Sequence, residues 1–187
     1  EGIATLEELH VVVSSPRDMV NQVQRVGDFL LSAGKLPVLL GGEHLISLGM
    51  IEAAVGHFPD LTVLHLDAHT DLREEYQGSA FSNACVMRPV SRLCSLVQVG
   101  IRAVTGEELQ WVRDRKIPCF FARDLWRDPS LWEEIPSKLG PHVYISIDLD
   151  VFDPSIMPAV GTPEPGGVGW YEVLSCLRRV VQQHRVV

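Results

Sequence analysis

The stretch HLDAHTDLR, residues 65–73, places four ionisable side chains at every second position, directly after the apolar run LTVL. They are His65, Asp67, His69 and Asp71. Acids and imidazoles that crowd the end of a strand need neutralisation, because neighbouring carboxylates resist ionising together and burial penalises every charged form. A bound cation would supply that neutralisation, so the pattern indicates a metal site.

Two more predicted strands end in residues of the same kind. LPVLL, residues 36–40, is followed by GGEH, which places His44 just past a Gly-Gly turn. HVYISIDLD, residues 142–150, carries two acids that would point the same way if this stretch is extended. In an open parallel sheet, ligands bind beyond the carboxyl ends of the strands. Two imidazoles and four carboxylates are therefore expected at one edge: His44, His69, Asp67, Asp71, Asp148 and Asp150.

This set of side chains favours a pair of divalent cations. Four carboxylates in one cavity cannot all ionise without compensation, and two such cations would offset their four negative charges. Oxygen and nitrogen ligands without a thiolate favour a harder metal such as Mn²⁺ over structural zinc. Paired metals, about 3.5–4 Å apart, commonly share a water or hydroxide whose pKa they lower toward neutrality. The expected chemistry is hydrolysis.

Each part of the pattern also has a simpler interpretation. A lone DxD or HxD at a strand end is commonly solvated loop polarity or a single Mg²⁺ site. We interpret His65 as packed beside its strand rather than as a ligand. Four isolated histidines are interpreted as surface or hydrogen-bonded side chains: His10, His57, His142 and His184. The binuclear site is favoured over these interpretations because three strand ends bring six ligand-type residues to the same place.

The elements that must position these residues alternate along the chain. Helices are predicted at 15–34, 46–58, 85–93, 105–115, 128–139 and 170–183. Ser15 is the expected N-cap of the first helix, with Pro16 in its first turn, and Thr105 and Glu108 are expected to form a capping box at the fourth. Strands are predicted at 36–40, 61–67, 96–101, 117–122 and 142–149, and the closing HRVV looks like the start of another. Strands that are apolar throughout and alternate with helices indicate an α/β fold with a parallel sheet covered on both faces.

Composition excludes several classes of function. The 187 residues, 46% of them hydrophobic, suit one well-buried domain. A net charge of −8 argues against nucleic acid, which requires a basic surface. No apolar run approaches the length of a membrane span and no signal peptide opens the chain, so no membrane partner is expected. The four cysteines lack CxxC pairing, which favours buried free thiols in a reducing cytoplasm.

Four motifs resemble, in order, the metal signatures of the arginase/agmatinase ureohydrolases: GGEH at 41–44, DAHTD at 67–71, SIDLDVFDP at 146–154 and GTPEPGG at 161–167. GGEHLISLG and DLREEYQGSAFSNACVMR look more like the bacterial agmatinases than arginase itself. The resemblance implies a three-layer α/β/α sandwich with a mainly parallel sheet. Residues 1–187 would then be a single ureohydrolase-like domain, incomplete at both ends.

The resemblance also implies two Mn²⁺ ions per chain and no other cofactor. One ion would be bound by His44 and Asp71, the other by His69 and Asp150, and both by the bridging Asp67 and Asp148. A metal-bridging hydroxide would attack the guanidinium carbon of a small guanidino substrate, and agmatine would give urea and putrescine. Because family members commonly form trimers or hexamers, a homo-oligomer is expected.

Asp71 and Asn83 are the candidate catalytic residues, and Asn83 departs from the pattern of the family. Relatives usually carry there a histidine credited with proton transfer or with hydrogen bonding near the substrate. Asparagine donates and accepts hydrogen bonds but cannot shuttle a proton at neutral pH. The family glutamate that contacts the guanidinium lies on the strand after the last helix, beyond Val187. Glu164 is interpreted as a loop carboxylate that holds its turn together.

Three alternatives stay open. The substrate of a related hydrolase would be guanidinobutyrate, arginine or formiminoglutamate. A catalytically silent paralogue would keep the metal site, which Asn83 favours, and would act in binding or assembly. A purely structural α/β domain would bind no metal and release no urea.

Overall fold

A computed structural model of the protein describes residues 2–187 and contains one five-stranded sheet. The strands are β1 (Leu61–Leu66), β2 (Ser95–Ile101), β3 (Cys119–Phe121), β4 (His142–Ile147) and β5 (Arg185–Val186). They are parallel and lie in the order β3-β2-β1-β4-β5. The α-helices are α1 (Pro16–Ser32), α2 (Ile46–His57), α3 (Met87–Leu93), α4 (Gly106–Arg115), α5 (Ala122–Arg127), α6 (Leu131–Glu134) and α7 (Trp170–Gln183). The predicted α/β fold with a parallel sheet is confirmed.

The central strand β1 shows why helices must cover both faces of the sheet. Every residue of β1 is buried. Leu64 and Leu66 pack into the apolar core beneath α5, α6 and α7, whereas Leu61 and Val63 pack into the second core, beneath α1, α2, α3 and α4. Because successive side chains of a strand point to opposite faces, a strand that is apolar throughout requires two such layers. The result is the expected three-layer α/β/α sandwich.

Two helix starts form as their sequences predict. The hydroxyl of Ser15 accepts a hydrogen bond from the Asp18 amide at 3.1 Å, and Pro16 occupies the first turn of α1. Thr105 and Glu108 form a reciprocal capping box at the start of α4. Such caps satisfy amide groups that have no partner within the helix.

The predicted strand at 36–40 is wrong. These residues form no regular element, and the side chains of Val38 and Leu40 are 79% and 90% exposed. A strand persists only when its amide and carbonyl groups pair with a neighbouring strand. The edge of the sheet beside β4 is taken by β5, and no strand of residues 2–187 pairs with this segment.

The predicted helix at 128–139 is broken into shorter pieces. Helix α6 covers only Leu131–Glu134, and Pro136 opens a separate 3₁₀ turn. Proline lacks an amide hydrogen and clashes with the preceding helical turn, so it interrupts the helix. The helix before it, α5, has no counterpart among the predicted elements, and the strand predicted at 117–122 is confirmed only at Cys119–Phe121.

The described chain carries neither a disulfide nor a helix that is both long and apolar enough to cross a membrane. All four cysteines are free, as predicted, although two are only half-buried: Cys85 and Cys176 are buried, Cys94 and Cys119 intermediate.

Helices α1 and α2 approach each other closely through glycine, and α2 begins two residues after His44. A Cβ placed on Gly49 would lie 2.3 Å from the Val20 carbonyl oxygen and 3.0 Å from the Val23 Cβ. A Cβ on Gly56, in the same helix, would meet no atom within 4 Å. The crossing of the two helices therefore depends on the missing side chain at Gly49.

Gly49→Ala is expected to destabilise the protein by about 1–3 kcal/mol, because the added methyl group forces the two helices apart. Gly56→Ala is the matched control and should stabilise it by roughly 0.5–1 kcal/mol, since alanine favours the helix over glycine. Urea unfolding of both variants measures the difference. Equal effects at the two positions would contradict the close crossing.

Candidate metal centre

The six predicted ligand residues all line one cavity of about 860 Å³ at the carboxyl ends of β1 and β4. Asp67, His69 and Asp71 follow β1 directly, and Asp148 and Asp150 follow β4. His44 reaches the cavity from the loop that precedes α2. The fold therefore brings together residues that are 106 positions apart in the sequence, between His44 and Asp150.

His44 is the centre of the first group of side chains. Its Nδ1 atom lies 3.0 Å from Asp71 Oδ2, 3.3 Å from Asp67 Oδ2 and 3.5 Å from Asp148 Oδ2. Its Nε2 atom lies 2.9 Å from the hydroxyl of Ser146, which fixes the ring. His44 is buried, and Nδ1 has no hydrogen-bond partner of acceptable geometry. Nε2 is thus held by Ser146, and Nδ1 faces a cluster of three carboxylates.

His69 is the centre of the second group. Its Nδ1 atom lies 3.2 Å from Asp150 Oδ2 and 3.4 Å from Asp67 Oδ1. Asp150 is held on both oxygens, since Oδ1 accepts from the Ala68 amide at 3.1 Å and Oδ2 accepts from the Thr162 hydroxyl at 3.1 Å. These bonds fix the Asp150 carboxylate beside the imidazole.

Asp67 belongs to both groups. Its Oδ2 atom faces His44 and its Oδ1 atom faces His69. In each group the potential ligand atoms lie within 4.8 Å of one another: His44, His65, Asp67 and Asp71 in the first, and Asp67, His69 and Asp150 in the second. Two adjacent groups that share a carboxylate match the layout of a binuclear metal centre.

The charges of the two groups depend on one another. Burial and the neighbouring Asp67 raise the pKa of Asp71 to about 6. Burial acts against ionisation of Asp67 too, but His65, His44 and His69 hold its pKa well below the usual value. Asp150 and Asp67 raise the pKa of His69 to about 10. The clustered carboxylates therefore stabilise any positive charge beside them, whether on a protonated imidazole or on a bound cation.

Asp71 takes an unusual backbone conformation that is supported by Glu108. Its φ of +53° lies in the left-handed region, which aspartate tolerates better than most residues. The buried Glu108 carboxylate accepts from the Thr70 hydroxyl at 2.7 Å and from the Leu72 amide at 3.3 Å. The glutamate that caps α4 therefore also braces the residues on both sides of Asp71.

The strand predicted at 142–149 ends at Ile147, so the stretch is not extended through Asp150. A 3₁₀ turn covers Leu149–Val151, and Asp148 caps it by accepting from the Asp150 amide at 3.1 Å. The turn separates the two carboxylates, so Asp148 faces His44 with a side chain that is 33% exposed, whereas the Asp150 side chain is 4% exposed. Both still line the cavity.

Asn83 lines the same cavity and joins two loops. Its Nδ2 atom donates to Glu43 Oε2 at 2.6 Å, and its Oδ1 atom accepts from the Leu45 amide at 3.1 Å. The amide side chain therefore holds the residues on either side of His44. Its predicted catalytic role stays a prediction.

The turn of the GTPEPGG loop is held by Asp153 and not, as interpreted from the sequence, by Glu164. The Asp153 carboxylate accepts from the amides of Gly166 and Gly167, both at 3.1 Å, so Asp153 holds this turn. The Glu164 carboxylate instead lines the cavity, with Oε1 3.9 Å from His69 Nε2. Glu164 thus adds a further acid to the wall.

Arg102 holds the two loops that flank Asp150. Its guanidinium group donates to main-chain carbonyl oxygens on three segments: those of Gly100, of Asp150, Val151 and Phe152, and of Glu164. An arginine with five donors suits such a set of acceptors. Arg102 was not predicted from the sequence, because no local pattern marks it.

Two buried polar residues inside apolar strands were also missed. Ser146 lies in β4 and contacts His44, and Gln98 lies in β2 and contacts His65. A polar side chain within an otherwise apolar strand is a signal in itself, because buried polar groups need partners.

Comparison with known proteins agrees with this arrangement. A family model described as the arginase family matches residues 2–187. The N(1)-aminopropylagmatine ureohydrolase of Synechocystis is 44% identical over 158 residues, which cover 82% of this chain and 51% of the relative. The agmatinase of Halalkalibacterium halodurans is 36% identical over 169 residues, covering 87% of this chain and 56% of the relative. The chain thus spans about half the length of the curated relatives it matches.

A solved structure shows the same fold. The agmatine ureohydrolase of Thermoplasma volcanium superposes with a TM-score of 0.82 and 33% identity, covering 92% of this chain and 59% of that one. The match of the family model over nearly the whole chain and the identity to the curated relatives give one conclusion: this chain belongs to the arginase family.

Proposed function

We propose that this chain forms the metal-binding part of a ureohydrolase that uses two Mn²⁺ ions to hydrolyse a C–N bond of a small guanidino compound. The observation that carries the proposal is the position of Asp67, whose two oxygens face two adjacent groups of nitrogen and oxygen ligands. Family membership supports the class of reaction.

The side chains fit divalent cations. His44 Nδ1 is buried without a hydrogen-bond partner and yet faces three carboxylate oxygens, as expected of a metal ligand. All the facing atoms are nitrogen or oxygen, which favours Mn²⁺ over structural zinc. In the proposed assignment His44 and Asp71 hold one ion, His69 and Asp150 hold the other, and Asp67 and Asp148 lie between them.

Bound metal would supply Lewis acidity and a water of lowered pKa. The residues of the chain prepare the cavity for a cation. Glu43 and Glu164 line it together with the ligand carboxylates, so a planar guanidinium is attracted and its charge is offset. Asn83 Nδ2 donates to Glu43 and thereby orients that carboxylate. Because Asn83 cannot carry a proton between substrate and solvent, it serves in positioning.

Two substrates of this class are proposed. Agmatine follows from the motifs and from the agmatinases among the relatives. N(1)-aminopropylagmatine is the alternative, since relatives from Synechocystis, Thermus thermophilus and Thermococcus kodakarensis are named for its hydrolysis. A metal-binding protein without turnover is the other candidate function, and Asn83 favours it. A single domain over residues 1–187 and a homo-oligomeric state, trimer or hexamer, are proposed as well.

Asp67→Asn should reduce the Mn²⁺ content of the full-length protein from two ions per chain to one or none, because both ions depend on this carboxylate. Asp150→Asn should remove only one ion. Metal analysis after dialysis measures both variants. Asp60→Asn is the control, since Asp60 pairs with His142 at the surface, away from the cavity. Two ions retained by Asp67→Asn would contradict the shared site.

Urea release from agmatine and from N(1)-aminopropylagmatine, by the full-length Mn²⁺-loaded protein, tests the reaction. Activity is expected with at least one of them. Asn83→His should raise turnover by about 10²–10⁴-fold if proton transfer limits the reaction, because a general acid–base group contributes that much. Asn21→His, on α1, is the matched control and should change nothing. Silence from the unaltered protein with activity in Asn83→His would identify a metal site that has lost catalysis.

A further inference from the structure

Gln98 is a fully buried polar residue beside the candidate metal centre. It lies in β2 directly opposite His65 of β1, in the parallel register that pairs these two residues. Both side chains are 0% exposed. They share the face of the sheet that packs under α1–α4, where their neighbours Val63 and Leu96 are apolar. Two polar side chains in such surroundings must satisfy each other.

The hydrogen bonds of Gln98 determine where the His65 ring carries its proton. Gln98 Nε2 lies 2.7 Å from the Thr70 carbonyl oxygen, which can only accept, so the amide nitrogen must face it. The same nitrogen lies 3.0 Å from His65 Nδ1. With one hydrogen on Thr70 and the other directed at His65, Gln98 requires that Nδ1 accept. His65 Nε2 therefore carries the hydrogen.

That hydrogen points at the shared carboxylate. His65 Nε2 lies 2.9 Å from Asp67 Oδ2, the same oxygen that faces His44. The other oxygen, Oδ1, is held by the His69 amide at 2.6 Å. Both oxygens are thus fixed from the side of the protein, and the carboxylate cannot rotate without losing one of these bonds.

We propose that Gln98 is a positioning residue, which holds His65 in the tautomer protonated at Nε2 so that His65 locks the Asp67 carboxylate between the two groups of ligands. The inference rests on the proposed metal centre. Partners of metal ligands orient them, and their loss typically reduces metal affinity by about 10–100-fold.

A role in packing alone is disfavoured by the second amide atom of Gln98. Its Oε1 atom is buried without a hydrogen-bond partner, which costs stability. An apolar side chain of similar length would fill the same space without that cost. A glutamine retained only for packing would therefore be replaceable by methionine with no loss of metal affinity.

The tautomer can be tested without any substitution. The full-length, metal-free protein is labelled with ¹⁵N on its histidine rings, and His65 is assigned by its loss in His65→Phe. The ¹⁵N spectrum should show Nε2 protonated and Nδ1 unprotonated. A proton on Nδ1 would overturn the inference. The ¹⁵N spectrum does not depend on catalysis. Absence of urea release or of Mn²⁺ binding would refute the proposed function, whereas the spectrum would still identify the tautomer of His65.

Gln98→Met tests the consequence for the metal centre. Titration of the full-length protein with Mn²⁺ should show affinity reduced about 10–100-fold. The urea unfolding midpoint should also fall, because His65 Nδ1 and the Thr70 carbonyl lose their buried partner. The control is Thr62→Val, which removes a buried hydrogen bond to the Gly140 amide at the other end of β1 and should leave affinity unchanged. Unaltered affinity in Gln98→Met would overturn the inference, as would an equal loss in Thr62→Val.

Discussion

The arrangement of the whole site follows from the cost of burying Asp67. A carboxylate with 1% exposure can stay ionised only if hydrogen bonds and opposite charge replace the water it has lost. Three imidazoles and one main-chain amide supply that replacement, and each comes from a defined place in the fold. Strand β1, the segment that follows it and the loop before α2 must all meet there for the charge to be tolerated.

Support for the ligand residues comes mostly from side chains that are not themselves proposed ligands. Glu108 joins the start of α4 to the residues around Asp71, and Arg102 gathers the carbonyl groups around Asp150. The glycine crossing brings α1 close to α2, the helix that begins two residues after His44. Because the contacts of Glu108 and Arg102 are remote in sequence from the residues they support, the geometry of the centre is a property of the complete sandwich.

The sequence predicted those features that depend on local pattern or on strand ends. The helix caps at Ser15 and Thr105, the parallel strands and the meeting of the six ligand-type residues all follow from such patterns. The segment 36–40 could not be judged in this way, because a strand depends on a neighbour that its own residues do not specify. The turn after Asp148 was not predicted either. The alternating pattern implies an extended strand, whereas the hydrogen bond from the Asp150 amide to the Asp148 side chain starts a 3₁₀ turn.

The pairing of His65 with Gln98 across β1 and β2 has a consequence for how the chain reaches its native state. A slip of one residue between these strands would turn one of the two side chains toward the opposite apolar layer and break the hydrogen bond between them. A misaligned sheet would then lack the geometry that a cation needs. Any ion that binds only the correct alignment stabilises it by mass action. Cation binding would in this way favour the correct alignment of the two strands over misaligned ones.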